Sequence, residues 1–340
     1  MRNKFPGYYN PSESDFKKLW SEGIFIFDTN VLLDLYRYSE ETVENLISTM
    51  EGLKDRIWIP YRVAFEYHRR LNDIIREQAA AYNDAIEMLS SFNKKFQEKR
   101  KHPFLKNILH QEIEEFTKKF DLELKEKQKL IFELIIQNPT KEKLADIIDN
   151  AVGNPFSETE LDSIYQEGAK RYQAKVPPGY KDKGEKLGNE IYGDLIIWKE
   201  ICRKALELDK PIILVTGDVK EDWFQIVMGR TVGPRPELIE EIKKQKDILF
   251  YIYSTDVFLR RAKEDLSIEI KDGTLTEIED VIKESRKFQE KLNSDENSLY
   301  KDSIEPNSND SFETYITKLF STSDSNCSNS EINDNNSTNP

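Results

Sequence analysis

The chain has 340 residues, of which 38 % are hydrophobic and 33 % are charged, with a formal net charge of −13. No apolar run approaches the about 20 residues of a membrane span, and the start of the chain lacks the apolar stretch of a signal peptide. Two cysteines, Cys202 and Cys327, exclude a disulfide framework or a cysteine-rich zinc site. The composition predicts a soluble, cytoplasmic protein with a hydrophobic core and no membrane partner.

Four short apolar runs have the pattern of strands in a buried parallel sheet. They are rich in β-branched or aromatic residues and apolar on both faces, which is typical of strands covered on both sides. The runs are residues 24–28 (IFIFD), 56–59 (RIWI), 212–216 (IILVT) and 248–253 (ILFYIY). Because helical patterns separate them, we predict an α/β fold with a central parallel sheet flanked by helices.

A long stretch without strand signals separates the second run from the third. Apolar residues recur there at helical spacing. The predicted helices span 63–100, 108–137, 141–151 and about 191–208. We interpret residues about 70–175 as a helical insertion between the second and third strands, able to contact a regulatory protein or a second copy of the chain. A loop dense in Pro, Gly and Lys follows over 176–190.

The composition changes after about residue 293, where Ser, Asn, Asp and Thr dominate. Residues 293–340 carry nine acidic and two basic residues, so this segment contributes −7 and leaves −6 for the rest. We predict one domain over 1–262, a C-terminal helix over 263–292 and a disordered acidic tail over 293–340. The acidity is unfavourable for phosphate contacts, which need Lys and Arg, although bound cations would neutralise part of it.

Four acidic residues lie where an open parallel sheet binds ligands, beyond the carboxyl ends of its strands. Asp28 ends the first strand and Asp218 follows the third. Glu66 lies on the helix after the second strand, and Asp194 opens a later helix. Asp222 is a weaker candidate, which a short helix would carry back toward Asp218.

Each of these acids also has a purely structural interpretation. Asp28 can accept hydrogen bonds in the following turn, with Asn30 as the cap of the next helix. Glu66 can pair with an arginine on its own helix. Asp194 can cap its helix, and Asp218 can serve a turn. Taken together, with two of them at strand ends, the four acids favour a shared site.

Carboxylates gathered at one edge repel one another and raise each other's pKa unless a cation is present. Their oxygen atoms are the ligands that Mg²⁺ or Mn²⁺ prefers. Such an ion can activate water and stabilise charge that builds on a phosphoryl group. The acids therefore predict a metal-dependent reaction at phosphate, whether with one ion or with two.

Several motifs, in this order, resemble the PIN-like domains, in particular a large bacterial group with a helical insertion. They are FIFDTNVLLDLYRYS, WIPYRVAFEYHRR, PPGYKD, GDLIIWKEI, VTGDVKEDWF and TDVFLRRA, and they extend from about Gly23 to about Ala262. The resemblance implies a PIN fold and a metal-dependent phosphodiesterase that most often cuts RNA.

The resemblance also implies roles for particular residues. Asp28, Glu66, Asp194 and Asp218 match the acidic cluster of the family. Asn30 matches the polar residue beside the first aspartate, and we expect it to bind substrate. Asp222 falls in the matching VKEDW string as an outer ligand. Relatives often carry two adjacent acids where this chain has Gly217 and Asp218. This departure either lowers the affinity for metal or has no effect, if only the second acid binds.

Basic residues near the acids are candidates for binding the phosphates of a nucleic acid, whether RNA or DNA. These candidates are Arg62, Lys181, Lys183, Lys186 and Lys220. The alternative is that they are ordinary solvated charges on helices and loops.

Other functions fit less well. A phosphatase of the haloacid-dehalogenase type needs a second Asp two residues after the first, where this chain has Asn30, and a dinucleotide-binding enzyme needs a glycine-rich turn. The main alternative is a non-catalytic PIN-like module that binds proteins or nucleic acid. A nuclease of this kind would suit a toxin or an antiviral effector, held inactive while the acidic tail occupies a basic groove.

Overall fold

Three of the four predicted strands form the central sheet. The computed structural model describes residues 1–97, 100, 106–181, 188–218, 220–266, 268–285 and 287. In this part of the chain the strands are β1 (Ile24–Phe27), β2 (Ile212–Thr216), β3 (Phe224–Val227), β4 (Arg230–Pro234) and β5 (Phe250–Ser254). Strands β1, β2 and β5 pair in parallel, in that spatial order, and β3 pairs with β4 in a separate antiparallel hairpin that the sequence did not predict.

The register of the sheet brings the carboxyl ends of β1 and β2 to one edge. Phe27 lies opposite Val215, which in turn lies opposite Tyr253 in β5. The backbone N–H of Asp28 continues this pattern by donating to the carbonyl oxygen of Val215 at 2.9 Å. All residues of β1 and β2 are buried, as expected for strands that are covered on both faces.

The second predicted strand, residues 56–59, does not form a continuous ladder, so that prediction was wrong in detail. Ile57 makes one parallel bridge to Phe25, and Ile59 makes one to Val152. The backbone of Ile59 turns toward the segment around Val152 instead of continuing along β1. Pro60 then ends the extended segment, because proline has no N–H to donate to a ladder.

Helices cover both faces of the sheet. The described helices are α1 (Glu13–Glu22), α2 (Thr29–Asp34), α3 (Glu40–Gly52), α4 (Tyr61–Gln97), α5 (Asn107–Glu133), α6 (Pro139–Ile148), α7 (Glu158–Gln173), α8 (Gly193–Leu208), α9 (Pro236–Gln245), α10 (Thr255–Asp265) and α11 (272–285). On one face Trp20 of α1 stacks on Phe258 of α10, with ring centroids 5.9 Å apart. On the other, Trp198 of α8 packs against Phe250 of β5.

Helices α4 and α5 form an antiparallel hairpin. Phe96 near the end of α4 contacts His110 near the start of α5. Further down the pair, the side chain of Gln128 donates to the amide oxygen of Asn83 at 2.7 Å. This hairpin lies within the segment predicted as an insertion, and the start of α4 places Glu66 beside the sheet.

The described residues lie almost entirely in one unit. Met1–Arg286 form that unit, and a second one comprises Lys287–Pro340. The predicted tail over 293–340 lies outside the described residues. Among the helices of the described part, none is long and apolar enough to span a membrane.

Candidate active site

Asp28 lies at the junction of β1 and α2, and both of its carboxylate oxygens accept hydrogen bonds. It is the N-cap of α2, and its Oδ1 accepts from the backbone N–H of Thr29 at 2.7 Å. Its Oδ2 accepts from the hydroxyl of Thr216 at 2.8 Å and from the amide of Asn30 at 2.9 Å. The predicted capping role therefore falls on Asp28 itself, and Asn30 holds its carboxylate in place.

Asn30 and Thr216 connect the ends of β1 and β2. The amide oxygen of Asn30 accepts from the backbone N–H of Gly217 at 2.7 Å. The hydroxyl oxygen of Thr216 accepts from the backbone N–H of Asp218 at 3.1 Å. This network orients Asp28 and fixes the turn from which Asp218 extends.

The carboxyl group of Asp28 lies in a field that disfavours its charge. Burial, together with the negative charges of Asp218 and Glu66, raises its pKa to about 6. The hydrogen bonds from Thr216 and Thr29 oppose this shift without cancelling it. A bound cation would relieve the repulsion among the three acids.

Glu66 extends from the second turn of α4 toward Asp28. Its Oε2 accepts from the hydroxyl of Thr29 at 3.4 Å, next to Asp28 in the chain. Its Oε1 pairs with the Nε of Arg62 at 2.6 Å, so the predicted helical ion pair is present. A Cβ atom on Gly193 would lie 2.9 Å from that Oε1, and the glycine thus allows the first turn of α8 to approach Glu66.

Asp194 lies in the first turn of α8, one residue after Gly193. The N-cap of this helix is Tyr192, so the prediction that Asp194 caps it was wrong. The Oδ2 of Asp194 accepts from the indole N–H of Trp223 at 3.1 Å. This hydrogen bond ties Asp194 to the segment that precedes β3.

Asp218 and Asp222 have different surroundings. Asp218 is partly buried and pairs with the ammonium of Lys220 at 2.9 Å. Asp222 is fully buried, and its Oδ2 accepts from the backbone N–H groups of Gly179 at 3.0 Å and Lys181 at 3.3 Å. These contacts tie Asp222 to the loop that precedes α8.

The predicted phosphate-binding residues that the structure describes are engaged with acids. Arg62 pairs with Glu66, and Lys220 pairs with Asp218. The side chain of Lys181, which is half exposed, pairs with Glu221 at 2.8 Å. Lys183 and Lys186 lie outside the described residues.

Comparison with known families places the chain in a family. A family model described as a PIN-like domain matches residues 24–238, more than half of the chain. The chain belongs to the PIN-like domain family. No curated protein and no solved structure matches it. PIN-like domains are generally nucleases that bind nucleic acid, and they typically use divalent metal ions.

The residues of this PIN-like domain fit a hard divalent cation by their chemistry. All candidate ligands are carboxylate oxygens, and the pKa of Asp28 is raised mainly by its burial and further by the negative charges of Asp218 and Glu66. Among the described residues, however, no three acidic, His or Cys side chains converge closely enough to hold an ion. Arg62 and Lys220 instead supply positive charge to Glu66 and Asp218.

Four residues that support this edge of the PIN-like domain were not singled out from the sequence. Thr216 and Trp223 hydrogen-bond to candidate ligands, and each lies close to a candidate in the chain. Asp34 follows Asn30 by one helical turn, and its Oδ2 lies 3.3 Å from where a Cβ on Gly217 would be. Glu200 is a charged residue on the apolar face of α8, a signal that marks an unusual buried group.

Proposed function

We propose that the protein is a divalent-metal-dependent nuclease, which hydrolyses phosphodiester bonds and prefers RNA to DNA. The observation that carries the proposal is the position of Asp28. It lies at the carboxyl edge of the sheet, and the charges of Asp218 and Glu66 act on its carboxyl group. Negative charge gathered at this edge of a parallel sheet suits a metal ion that binds phosphate.

In this proposal Asp28, Asp218, Glu66 and Asp194 hold Mg²⁺ or Mn²⁺. The ion, when bound, lowers the pKa of water and stabilises negative charge on the phosphoryl oxygens. Asn30 and Thr216 keep the carboxylate of Asp28 oriented through hydrogen bonds of 2.9 and 2.8 Å. In place of the outer-ligand role predicted from the sequence, we assign Asp222 to holding the loop before α8.

The basic residues next to the acids are suited to the substrate. Arg62 and Lys220 now neutralise Glu66 and Asp218. Once a cation neutralises these acids, both side chains become available to phosphate oxygens, and Arg62 can bind them in a bidentate manner. Lys181 would contact the substrate further out, together with Lys183 and Lys186.

One observation favours the alternative of a non-catalytic PIN-like module. No three potential metal ligands converge among the described residues, and the acids are ion-paired or hydrogen-bonded within the protein. A module of this kind would bind nucleic acid or a protein without cutting. The two functions differ in whether the protein cleaves the nucleic acid when a metal ion is present.

The test is cleavage of labelled single-stranded RNA and DNA by the purified protein in Mg²⁺, in Mn²⁺ and in EDTA. We expect cutting that needs metal and falls by more than about 100-fold in Asp28→Asn, since even the outer partners of metal ligands typically contribute about 10- to 100-fold. Asp73→Asn is the matched control, because Asp73 is an exposed aspartate on α4 that pairs with Arg76.

Three outcomes decide the question. Cutting that is lost in Asp28→Asn and retained in Asp73→Asn supports the nuclease. Equal cutting by both variants places the activity elsewhere or in a contaminant. If no substrate is cut under any metal, the protein is the non-catalytic module, and binding to RNA in the absence of cleavage becomes the property to measure.

A further inference from the structure

Two aromatic side chains are stacked and exposed on the first turns of α4. The rings of Tyr61 and Phe65 have centroids 6.5 Å apart and planes inclined by 19°. Their exposed fractions are 39 % and 43 %, so both rings present apolar surface to solvent. Since they lie four residues apart, they share one face of the helix.

Two arginines border this pair. The guanidinium carbon of Arg62 lies 5.6 Å from the centroid of the Phe65 ring, and that of Arg69 lies 6.0 Å from it. Arg62 also pairs with Glu66 at 2.6 Å. The side chain of Arg62 therefore contacts both the aromatic pair and Glu66, one of the four candidate acids.

We propose that Tyr61 and Phe65 form a stacking platform for unpaired bases of a single-stranded nucleic acid. The inference rests on the proposed nuclease function and specifies its substrate class. Every base has a π-face, and aromatic rings beside cationic side chains bind single strands without reading their sequence. Bases of a duplex are already stacked on each other and cannot lie on such a platform.

The position of the platform suits delivery of a phosphate to the acidic cluster. A base stacked on Phe65 has its neighbouring phosphates near Arg62, beside Glu66. On the outer side, Arg69 pairs with Glu190, and both side chains are about half exposed. An ion pair in water is weak, so a backbone phosphate can compete for Arg69.

A second aromatic pair provides a matched comparison. Phe116 and Phe120 on α5 are also stacked, with centroids 5.7 Å apart and planes inclined by 12°. They are 63 % and 43 % exposed. Among the described residues, no Arg or Lys lies over either ring. Exposure and stacking are thus present there without a cation placed over either ring in the part of the chain that the structure describes.

The experiment measures binding of the full-length protein in EDTA, where no cleavage occurs. The probes are a labelled single-stranded RNA, the same strand with its bases removed, and the blunt duplex of the same sequence. We expect the wild type to bind the intact single strand roughly 10- to 100-fold more tightly than the abasic strand. The double variant Tyr61→Ala/Phe65→Ala should lose this difference, whereas Phe116→Ala/Phe120→Ala should keep it.

Single variants separate stacking from packing. Phe65→Trp should retain the preference for the intact strand, and Phe65→Leu should lose it while unfolding at the wild-type temperature. The inference is wrong if the wild type does not distinguish the probes. It is equally wrong if the Tyr61→Ala/Phe65→Ala variant still distinguishes them, or if the duplex binds as tightly as the single strand.

The two proposals can fail separately. If no metal supports cleavage but base-dependent binding is lost with the platform, the platform holds and the nuclease function fails. If cutting is lost in Asp28→Asn but the platform variant binds and cuts like the wild type, only the platform fails.

Discussion

Glu200, buried in α8, accepts a hydrogen bond from the backbone N–H of Arg62 at the start of α4, over a distance of 3.0 Å. The first N–H groups of a helix have no partner within the helix. A side chain of one helix therefore caps the helix that carries Glu66. Burial raises the pKa of Glu200 to about 7, and the charge of Glu66 contributes in the same direction.

The burial of Glu200 predicts a pH-dependent stability. Because the pKa of Glu200 in the fold lies above its ordinary value of 4.5, its stabilising contribution is complete below about pH 4.5 and is lost as the pH rises through about 7. Glu200→Gln keeps an acceptor for Arg62 but does not titrate. We expect it to exceed the wild type by up to about 3 kcal/mol above pH 7 and to match it near pH 4.5.

Urea unfolding at several pH values measures this difference. Glu207→Gln is the control, since Glu207 lies on the same helix with an exposed side chain and pairs with Lys204. Parallel stability curves for wild type and Glu200→Gln across the pH range would contradict the prediction.

Replacing Gly217 by Asp would give this chain the two adjacent acids that the family resemblance implies at this position. A Cβ atom there would lie 3.3 Å from the Oδ2 of Asp34 and 3.4 Å from the Oδ1 of Asn30. Gly217→Asp and Gly217→Asn share this close approach, but only the first adds a charge beside Asp34 and Asp218. In EDTA we expect Gly217→Asp to be less stable than Gly217→Asn by about 1 kcal/mol or more.

Mg²⁺ should reduce that difference, because a bound cation neutralises the added carboxylate. Thermal unfolding with and without the ion measures both effects. A difference between the two variants that is the same in Mg²⁺ and in EDTA would mean that residue 217 does not face the metal.

Asp222 should stabilise the loop before α8 through its hydrogen bonds to Gly179 and Lys181. Asp222→Ala removes the acceptor of two N–H groups, and we expect a loss of about 1–3 kcal/mol in the free energy of unfolding. Amide hydrogen exchange should become faster at Gly179 and Lys181. Asp222→Asn, which keeps one oxygen, should have a smaller effect.

Affinity for Mn²⁺ separates this role from that of an outer metal ligand. A loop-holding residue leaves the affinity nearly unchanged in Asp222→Asn, whereas a ligand lowers it. The control is Asp247→Ala, because Asp247 is exposed and pairs with Lys243 on the surface. If Asp222→Asn binds Mn²⁺ more weakly and Asp247→Ala does not, Asp222 is a metal ligand.

The acidic tail gives a prediction from charge alone. Residues 293–340 carry −7, and a segment of that charge competes with phosphates for basic side chains. Removing them should raise affinity for single-stranded RNA and the rate of cutting, and the effect should diminish at high salt. The separate tail peptide should then inhibit the shortened protein. If affinity and rate are unchanged after residues 293–340 are removed, the tail does not inhibit the protein.

The positions of β1, β2 and β5 could be predicted from the sequence because these strands are mostly apolar and mostly buried on both faces. The parallel arrangement then placed Asp28 and Asp218 at one edge. The β3–β4 hairpin was missed because its residues are mostly half exposed, without a clear alternation of apolar and polar residues. Glu200 could be noticed as a charge on an apolar helix face, but its partner at Arg62 depends on how two distant helices pack.

The hydrogen bond from Thr216 to Asp28 joins residues at the ends of two neighbouring strands. Side chains alternate between the two faces of a sheet, so a shift of one residue in β2 would turn Thr216 away from Asp28. Insertions in the loops between the strands preserve this alignment, whereas an insertion or deletion within β2 destroys it. Correct alignment of β1 and β2 is therefore a condition for assembling the acidic edge, and a chain that folds out of register lacks the contact between Thr216 and Asp28.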